Sequence, residues 1–374
     1  MSSADVVVVG GGIVGVSVAY ELACANSRVI LVDSAAPGRA SDAGAGIISP
    51  QTFSDPDDDW FAFGADAAQY LTTLVSRLAD DGADPGAEAW ARCGSVVVAL
   101  AEHEDPWFTE VAARILARFP GVEEITPTDA RGMFPPLGPV WRALVNPAAA
   151  RVDGGRLAAA IRTAATKRGV TVINDQALDF DATGDRVTTV HLDHETVSCD
   201  ALVLAGGAWS GRWGAKLGMR VPVMPLKGQI VHVTSPDALH RGSGSWPIIE
   251  PILNFYLVPW PGGRVACGGT FEADAGFDVR PTAAGLRDLL RECVSIAPGL
   301  ASATFTEVRV GLRPSSADDR PILGAMPGWS NVHICTGHGA NGLLMGPYSA
   351  ALVAAGVRGT PRAELAPYGV ARFA

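Results

Sequence analysis

The stretch Val6-Val7-Val8-Val9-Gly10-Gly11-Gly12-Ile13-Val14-Gly15 limits what this chain can fold into more than any other. An apolar run of strand length turns through Gly10-x-Gly12-x-x-Gly15 into a helical pattern carried by Val16, Ala19, Tyr20 and Ala23. A second apolar run, Val29-Ile30-Leu31-Val32, then ends on Asp33. Each part suits the holding of a dinucleotide. Gly10 permits a tight turn, Gly12 lets backbone approach a pyrophosphate, and Gly15 lets the helix pack closely on the strand. The free N–H groups and the positive end of the helix dipole face the phosphates. Asp33 is placed to accept hydrogen bonds from a ribose. A glycine-rich turn alone is a weak signal; strand, glycines, helix, strand and acid in this order are a specific one.

Length allows two domains, or one domain with a large insertion, in 374 residues. Hydrophobic content of 48% with 18% charged residues excludes a disordered chain. A net charge of −10, with no cluster of Lys and Arg, argues against a nucleic-acid surface. Cys24, Cys93, Cys199, Cys267, Cys293 and Cys335 are scattered and form no CxxC pair. That pattern predicts a reducing, cytoplasmic setting and neither a disulfide framework nor a zinc site. The segment from Val6 to Tyr20 lacks the basic flank of a signal peptide, is broken by glycines and lies between Asp5 and Glu21. No other apolar run reaches the roughly 18 residues of a membrane span, so none is expected.

After Asp33 the chain runs through a loop of small residues, Arg39-Ala40-Ser41-Asp42-Ala43-Gly44-Ala45-Gly46-Ile47. Such a loop lets backbone approach something flat and bulky, or serves as a flexible linker. Leu71, Leu74, Val75 and Leu78 predict an amphipathic helix, Ser95–Leu100 a buried strand and Trp107–Arg118 a helix. Pro120, Pro127, Pro135 and Pro136 punctuate an irregular region that has lost the βαβ rhythm. The rhythm returns at Asp153, an N-cap for a helix carrying Leu157, Ile161, Ala164 and Ala165, with Gly169 as its stop. The strand Val170–Ile173 follows, two more strands meet at Gly184-Asp185, and Ala201–Ala205 is a buried strand opening on Gly206 and Gly207. From Met224 the pattern is antiparallel, with strands at Gly228–Thr234, Asn254–Trp260 and Arg264–Thr270 and a helix at Thr282–Ala297. A strand at Val332–Cys335, a glycine turn and a helix starting near Asn341 close the chain.

Several separated motifs agree in order: Gly10 to Gly15 with Asp33, the Arg39–Ile47 loop, Leu204-Ala205-Gly206-Gly207-Ala208-Trp209-Ser210, Gly311-Leu312-Arg313-Pro314, and Gly337-His338-Gly339-Ala340-Asn341-Gly342. The chain resembles the FAD-dependent D-amino acid oxidase superfamily. It is most similar to the bacterial glycine oxidase branch, including Pro225-Leu226-Lys227-Gly228-Gln229 and Phe255-Tyr256-Leu257-Val258-Pro259. The resemblance implies an α/β fold, a glutathione-reductase-like, Rossmann-type FAD-binding domain with an inserted substrate domain of mixed antiparallel sheet and helices (α+β). The FAD-binding parts would be 1–82, 148–222 and 304–374, and the substrate parts 83–147 and 223–303.

The resemblance also places residues. Ile13 and Val14 would sit at the pyrophosphate with Gly10, Gly12 and Gly15, Asp33 and Ser34 at the ribose, and Leu178 near the adenine. Ala40, Ser41, Ala45, Gly46 and Ile47, with Gly206, would line the flavin. Gly337, His338, Gly339, Ala340, Asn341, Gly342, Leu343 and Leu344 would bring a helix start to the flavin's pyrimidine edge, where reduction builds negative charge. Arg313 offers a planar fork for a substrate carboxylate, and Tyr256 would donate its hydroxyl to the same group. The implied reaction is hydride transfer from Cα of a small amino acid or secondary amine, of glycine, sarcosine or D-amino acid type, to flavin N5. The imine would hydrolyse to a 2-oxo acid and ammonia, with H2O2 formed if oxygen is the acceptor. No enzymic base is obligatory for that step.

Three departures from the branch stand out. Ala340 occupies the place of a second arginine, Phe271 that of a methionine, and Arg264–Cys267 carries no lysine of the kind sarcosine oxidases use with oxygen. Ala43 and the Arg313 region offer no flavin-tethering cysteine or histidine, so non-covalent FAD is expected. Two alternatives stay open: a 2-hydroxy acid dehydrogenase on the same fold, for which His232 is the one candidate base, and a flavoprotein subunit of a larger complex. The partner expected on either enzyme reading is a small molecule, with no nucleic acid and no membrane span; a homo-oligomer is compatible with both.

Overall fold

A computed structural model describes residues 2–52, 57–119, 121–235, 242–252 and 255–374. The strand β1 (Ser2–Val9) is followed by the helix α1 (Ile13–Cys24) and the strand β2 (Val29–Val32). Val6–Val9 pair with Val29–Val32 on one side and with Ala201–Leu204 on the other, both in parallel. A parallel strand covered on both faces needs a continuous apolar run, which the four valines supply. Val332–Thr336 pairs in parallel with the end of Thr196–Leu204, and Thr171–Ile173 with β2. The hairpin Ala177–Thr183 and Arg186–Leu192, turning at Gly184-Asp185, extends this eight-stranded sheet.

Helices cover the parallel strands. The helix Asp58–Asp80 begins at Asp57, whose side chain accepts from the N–H groups of Asp59 and Trp60. Its buried face carries Trp60, Phe63, Ala67, Leu71, Leu74 and Leu78, each leucine worth about 1.5–3 kcal/mol of burial. Asp153 caps the helix Gly154–Lys167 through a bond to the Arg156 N–H. The final helix, Gly342–Val357, packs on α1 and on Asp58–Asp80 and buries Leu343, Leu344, Met345, Leu352 and Val353. Together with the turn before it, Gly339–Val357 has the length and composition of a membrane span, a candidate that the sequence reading passed over. Its apolar character is accounted for by burial between helices.

A second eight-stranded sheet contains Glu123–Ile125, Arg142–Asn146, Ser95–Ala99, Ile248–Pro251, Tyr256–Pro259, Arg264–Gly268, Val223–Thr234 and Thr304–Ser316 in spatial order. Its pairs are antiparallel except Ile248–Pro251 with Ser95–Ala99. The expected strand at Asn254–Trp260 is seen as Tyr256–Pro259; Asn254 lies outside the described residues. Thr304–Ser316 pairs along Val223–Thr234 for its full length. That strand was expected with the FAD-binding segment 304–374, but its hydrogen bonds place it in the second sheet. A small third sheet joins Ile47–Ile48, Ala150–Val152 and Trp90–Arg92.

Candidate active site

The carboxyl ends of the parallel strands converge on one cavity of about 660 Å³. Val9, Val32, Ala205 to Gly207 and Thr336 all reach it, which is where an open α/β sheet places its ligand. The cavity runs without interruption from the glycine turn and Asp33, past the Arg39–Ile47 loop, to Tyr256, Phe271 and Arg313.

At the first end the chain turns at Gly10, whose φ is 109°. A Cβ there would lie 2.4 Å from the Ala205 carbonyl oxygen, and one at Gly15 only 1.7 Å from the Gly10 carbonyl oxygen. Gly15 thus seats α1 against the turn and is not part of the cavity wall. The N–H of Ile13, at the start of α1, donates to Ser41 Oγ at 2.9 Å, tying the helix start to the loop. Asp33, 5% exposed, accepts from the N–H groups of Gly11 and Ala35. It also receives Arg39 Nη2 at 3.0 Å on each oxygen and Arg162 Nη2 at 2.6 Å. Burial alone would raise its pKa, but these two guanidinium groups and the Ala35 N–H outweigh that and hold it below the usual value.

At the other end Arg313 lies over Gly228, where a Cβ would come within 2.2 Å of its Nη1. A side chain at this position would displace the guanidinium from where it lies. Nη1 donates to the Thr270 carbonyl oxygen at 2.9 Å, and the Phe271 ring lies 4.5 Å from Cζ. Tyr256 stands beside it, its hydroxyl filling the space left by Gly268 and Gly269. Burial pushes the Tyr256 pKa up to about 12 against the opposing pull of the Arg313 charge, so the phenol stays protonated as a donor. Burial also lowers the pKa of Arg313 from its ordinary value, and a guanidinium remains charged regardless. Among the described residues, Arg313 is the one cation lining this end; Arg212 and Arg39 line the end near Ala177 and Asp33.

His338 to Leu343 form the wall at the start of the last helix. His338 is 3% exposed, and neither ring nitrogen has a hydrogen-bond partner among the described residues. Burial pushes its pKa down to about 4, so the imidazole is neutral. His232 does not line the cavity. It is buried on its strand, with Nδ1 3.3 Å from Arg264 Nη1 and 3.5 Å from Glu307 Oε1, which removes the one candidate base of the hydroxy acid reading from the site.

The cavity gathers Gly10, Gly12, Ile13, Val14, Asp33, Ser34, Ala40, Ser41, Ala45, Gly46, Ile47, Gly206, Tyr256, Arg313 and His338 to Leu343. Four residues named from sequence lie outside its lining. Gly15 packs beneath the turn, Gly337 supplies a bend at φ 76°, and Leu344 faces the core. Leu178 is 50% exposed and lies just past the wall that Asp175, Gln176 and Ala177 form, where its strand shifts register between Ala177 and Asp179. Arg162 was missed, since nothing in its helical pattern singles it out before the fold sets it against Asp33. Asp175, Asp193 and His194 bring ligand-type atoms within 4.8 Å of one another at an exposed turn, an arrangement common without a metal.

Comparison with known proteins agrees with this geometry. The family model described as FAD dependent oxidoreductase (DAO) matches residues 5–355. The chain is 34% identical over 368 residues to an uncharacterized oxidoreductase of Bacillus subtilis (strain 168), YurR, covering 97% of each. It is 31% identical over 373 residues to a glycine oxidase of Pseudomonas aeruginosa, covering 98% of each. Among solved structures, iminodiacetate oxidase from Chelativorans sp. BNC1 superposes with a TM-score of 0.90 at 35% identity, over 97% of this chain and 98% of that one. The chain belongs to the DAO family of FAD-dependent oxidoreductases.

Proposed function

We propose that this enzyme oxidises a small amino acid or secondary amine bearing a carboxylate, at the Cα–H bond next to nitrogen. The observation that carries this reading is one continuous cavity joining a dinucleotide turn at one end to a half-buried arginine and tyrosine at the other. The residues present fit FAD: the glycine turn accepts no Cβ at Gly10, and α1 points its N-terminus into the cavity. Gly10 to Val14 would hold the pyrophosphate, Asp33 the ribose, and Ala40 to Ile47 with His338 to Leu343 the flavin. FAD supplies the hydride acceptor. The protein's own part is to bind and orient. Arg313 takes the substrate carboxylate on its fork and Tyr256 donates its hydroxyl to it. A carboxylate so fixed holds Cα at a defined place, and Phe255, Trp209 and Ile252 line the cavity with apolar surface that disfavours water at the reacting Cα–H bond. His338, neutral and buried, and His232, outside the cavity, leave no charged histidine in the scheme.

The relatives support the amine class: one is a glycine oxidase and one an iminodiacetate oxidase. The test is an anaerobic reduction screen of the FAD-loaded enzyme with glycine, sarcosine, iminodiacetate, D- and L-amino acids and 2-hydroxy acids. Loss of the flavin's visible absorbance with an amine is the expected result. Restoration by air with peroxide would make it an oxidase; bleaching that air does not reverse would make it a dehydrogenase. Bleaching by hydroxy acids alone would refute the proposal.

A further inference from the structure

We propose that Gln229 is a positioning residue for Arg313, its side chain acting through Glu272 and Thr270; this rests on the reading of Arg313 as the carboxylate subsite. Gln229 is fully buried and lies outside the cavity lining. On its strand, Leu226, Gly228 and Ile230 share a face with Arg313, Gly311 and Arg309 of the paired strand. Gln229 therefore points to the opposite side, and it reaches the site only through what it holds.

It holds a great deal. Its backbone N–H donates to Thr270 Oγ1 at 2.9 Å, and its carbonyl accepts from the Thr270 N–H at 3.1 Å. Its amide Nε2 donates to Glu272 Oε1 at 2.6 Å and to Thr282 Oγ1 at 3.0 Å, while Oε1 accepts from the Thr282 N–H at 2.9 Å. Thr270 Oγ1 in turn donates to Glu272 Oε1 at 2.6 Å. Glu272 also pairs with Lys227, 1% exposed, at 3.3 Å. Burial alone would raise the Glu272 pKa, but the hydrogen bonds from Gln229, Thr270 and Lys227 hold it down, so the hub keeps its charge.

The consequence for Arg313 lies in two consecutive residues. The Thr270 carbonyl fixes Nη1 within the guanidinium plane, and the Phe271 ring covers one face of that plane. One contact sets direction and the other sets tilt. Both belong to the segment between the strand end at Gly268 and Glu272, which Gln229 fastens. A guanidinium binds a carboxylate by two bonds only when its plane is aimed, so a neighbour that aims it sets affinity without touching the ligand. Replacing Gln229 changes no charge and keeps its backbone bonds to Thr270; it removes the amide's bonds to Glu272 and Thr282. It thus separates orientation from the electrostatic change that removing Glu272 or Lys227 would bring.

The test uses FAD-loaded Gln229→Met, Thr270→Val and Arg313→Ala beside the parent, with acetate as the probe. Acetate affinity is read from the flavin absorbance perturbation, FAD affinity from titration of the apoprotein, and stability from thermal melting. Gln229→Met should weaken acetate about tenfold, equivalent to ~1.4 kcal/mol, and leave the FAD dissociation constant within about twofold because Gln229, Thr270 and Glu272 do not line the cavity. Thr270→Val keeps the carbonyl but loses the hydroxyl link, and should weaken acetate by a smaller factor. Acetate binding unchanged in Gln229→Met, with Arg313→Ala impaired, would overturn the positioning role. Parallel loss of acetate and FAD affinity would also overturn it, as a structural lesion. Should Gln229→Met fail to fold, unchanged acetate binding in Thr270→Val would decide against it. Unchanged binding in Arg313→Ala would sink the carboxylate reading itself.

Discussion

Asp33→Asn removes one charge from a site where three charged groups meet, and its cost can be worked from the contacts. Asp33 is 5% exposed and faces Arg39 at 3.0 Å and Arg162 at 2.6 Å. Unit charges about 4 Å apart interact by about 4 kcal/mol at an effective dielectric near 20, before desolvation is subtracted. Removing one partner of a buried pair costs about 3–5 kcal/mol. Here the two guanidinium groups are 21% and 29% exposed and recover some hydration, which reduces the expected loss to roughly 2–3 kcal/mol. The amide still accepts from the Gly11 N–H, so the turn itself should persist. The assay is urea unfolding of the FAD-free protein across pH. The folded pKa of Asp33 lies below its unfolded value. Its stabilisation is therefore fully present above the unfolded pKa of about 3.9 and is lost as pH falls through the lower folded value. The gap between parent and variant should be full at pH 7 and close as pH drops below about 4. A gap under about 0.5 kcal/mol at pH 7 would refute the reasoning, since surface substitutions alone produce that much.

Three further outcomes are expected. Gly10→Ala places a Cβ 2.4 Å from the Ala205 carbonyl at a φ of 109°; it should cost about 1–3 kcal/mol in strain and abolish FAD retention on gel filtration, and normal retention would contradict it. Tyr256 is raised to about 12 mainly by burial, so its contribution to stability is complete below about pH 10 and is lost as pH rises toward 12. Tyr256→Phe should flatten that alkaline loss in a pH series of melting curves. FAD should be released into the supernatant by acid precipitation, because Ala43 offers no nucleophile; a yellow pellet would disprove non-covalent binding.

Much of the cofactor end was legible because it is local. Four valines, three glycines and an acid within 33 residues dictate a strand, a turn and a second strand, and the structure pairs them in register. Arg313 and Tyr256 were legible only through resemblance, and the fold brings them together from separate strands. What pairing adds was hidden. Gly228 matters because Thr304–Ser316 sets Arg313 above it, and Arg162 matters because its helix passes Asp33. Leu178 lies one residue past the wall at Ala177, beside a register shift in its strand that no local pattern announces. The strand Thr304–Ser316 reads as an extension of the closing segment, yet its hydrogen bonds run to Val223–Thr234, a long-range pairing that no local pattern declares.

The central claim is that one cavity holds FAD along the glycine turn and a carboxylate at Arg313. A crystal structure of the FAD-loaded enzyme soaked with acetate tests it most directly. The pyrophosphate should lie against Gly10 to Val14 and acetate oxygens within about 3.2 Å of the Arg313 guanidinium, with the Tyr256 hydroxyl donating to one of them. Acetate bound elsewhere, with no ligand oxygen on the Arg313 guanidinium, would contradict it.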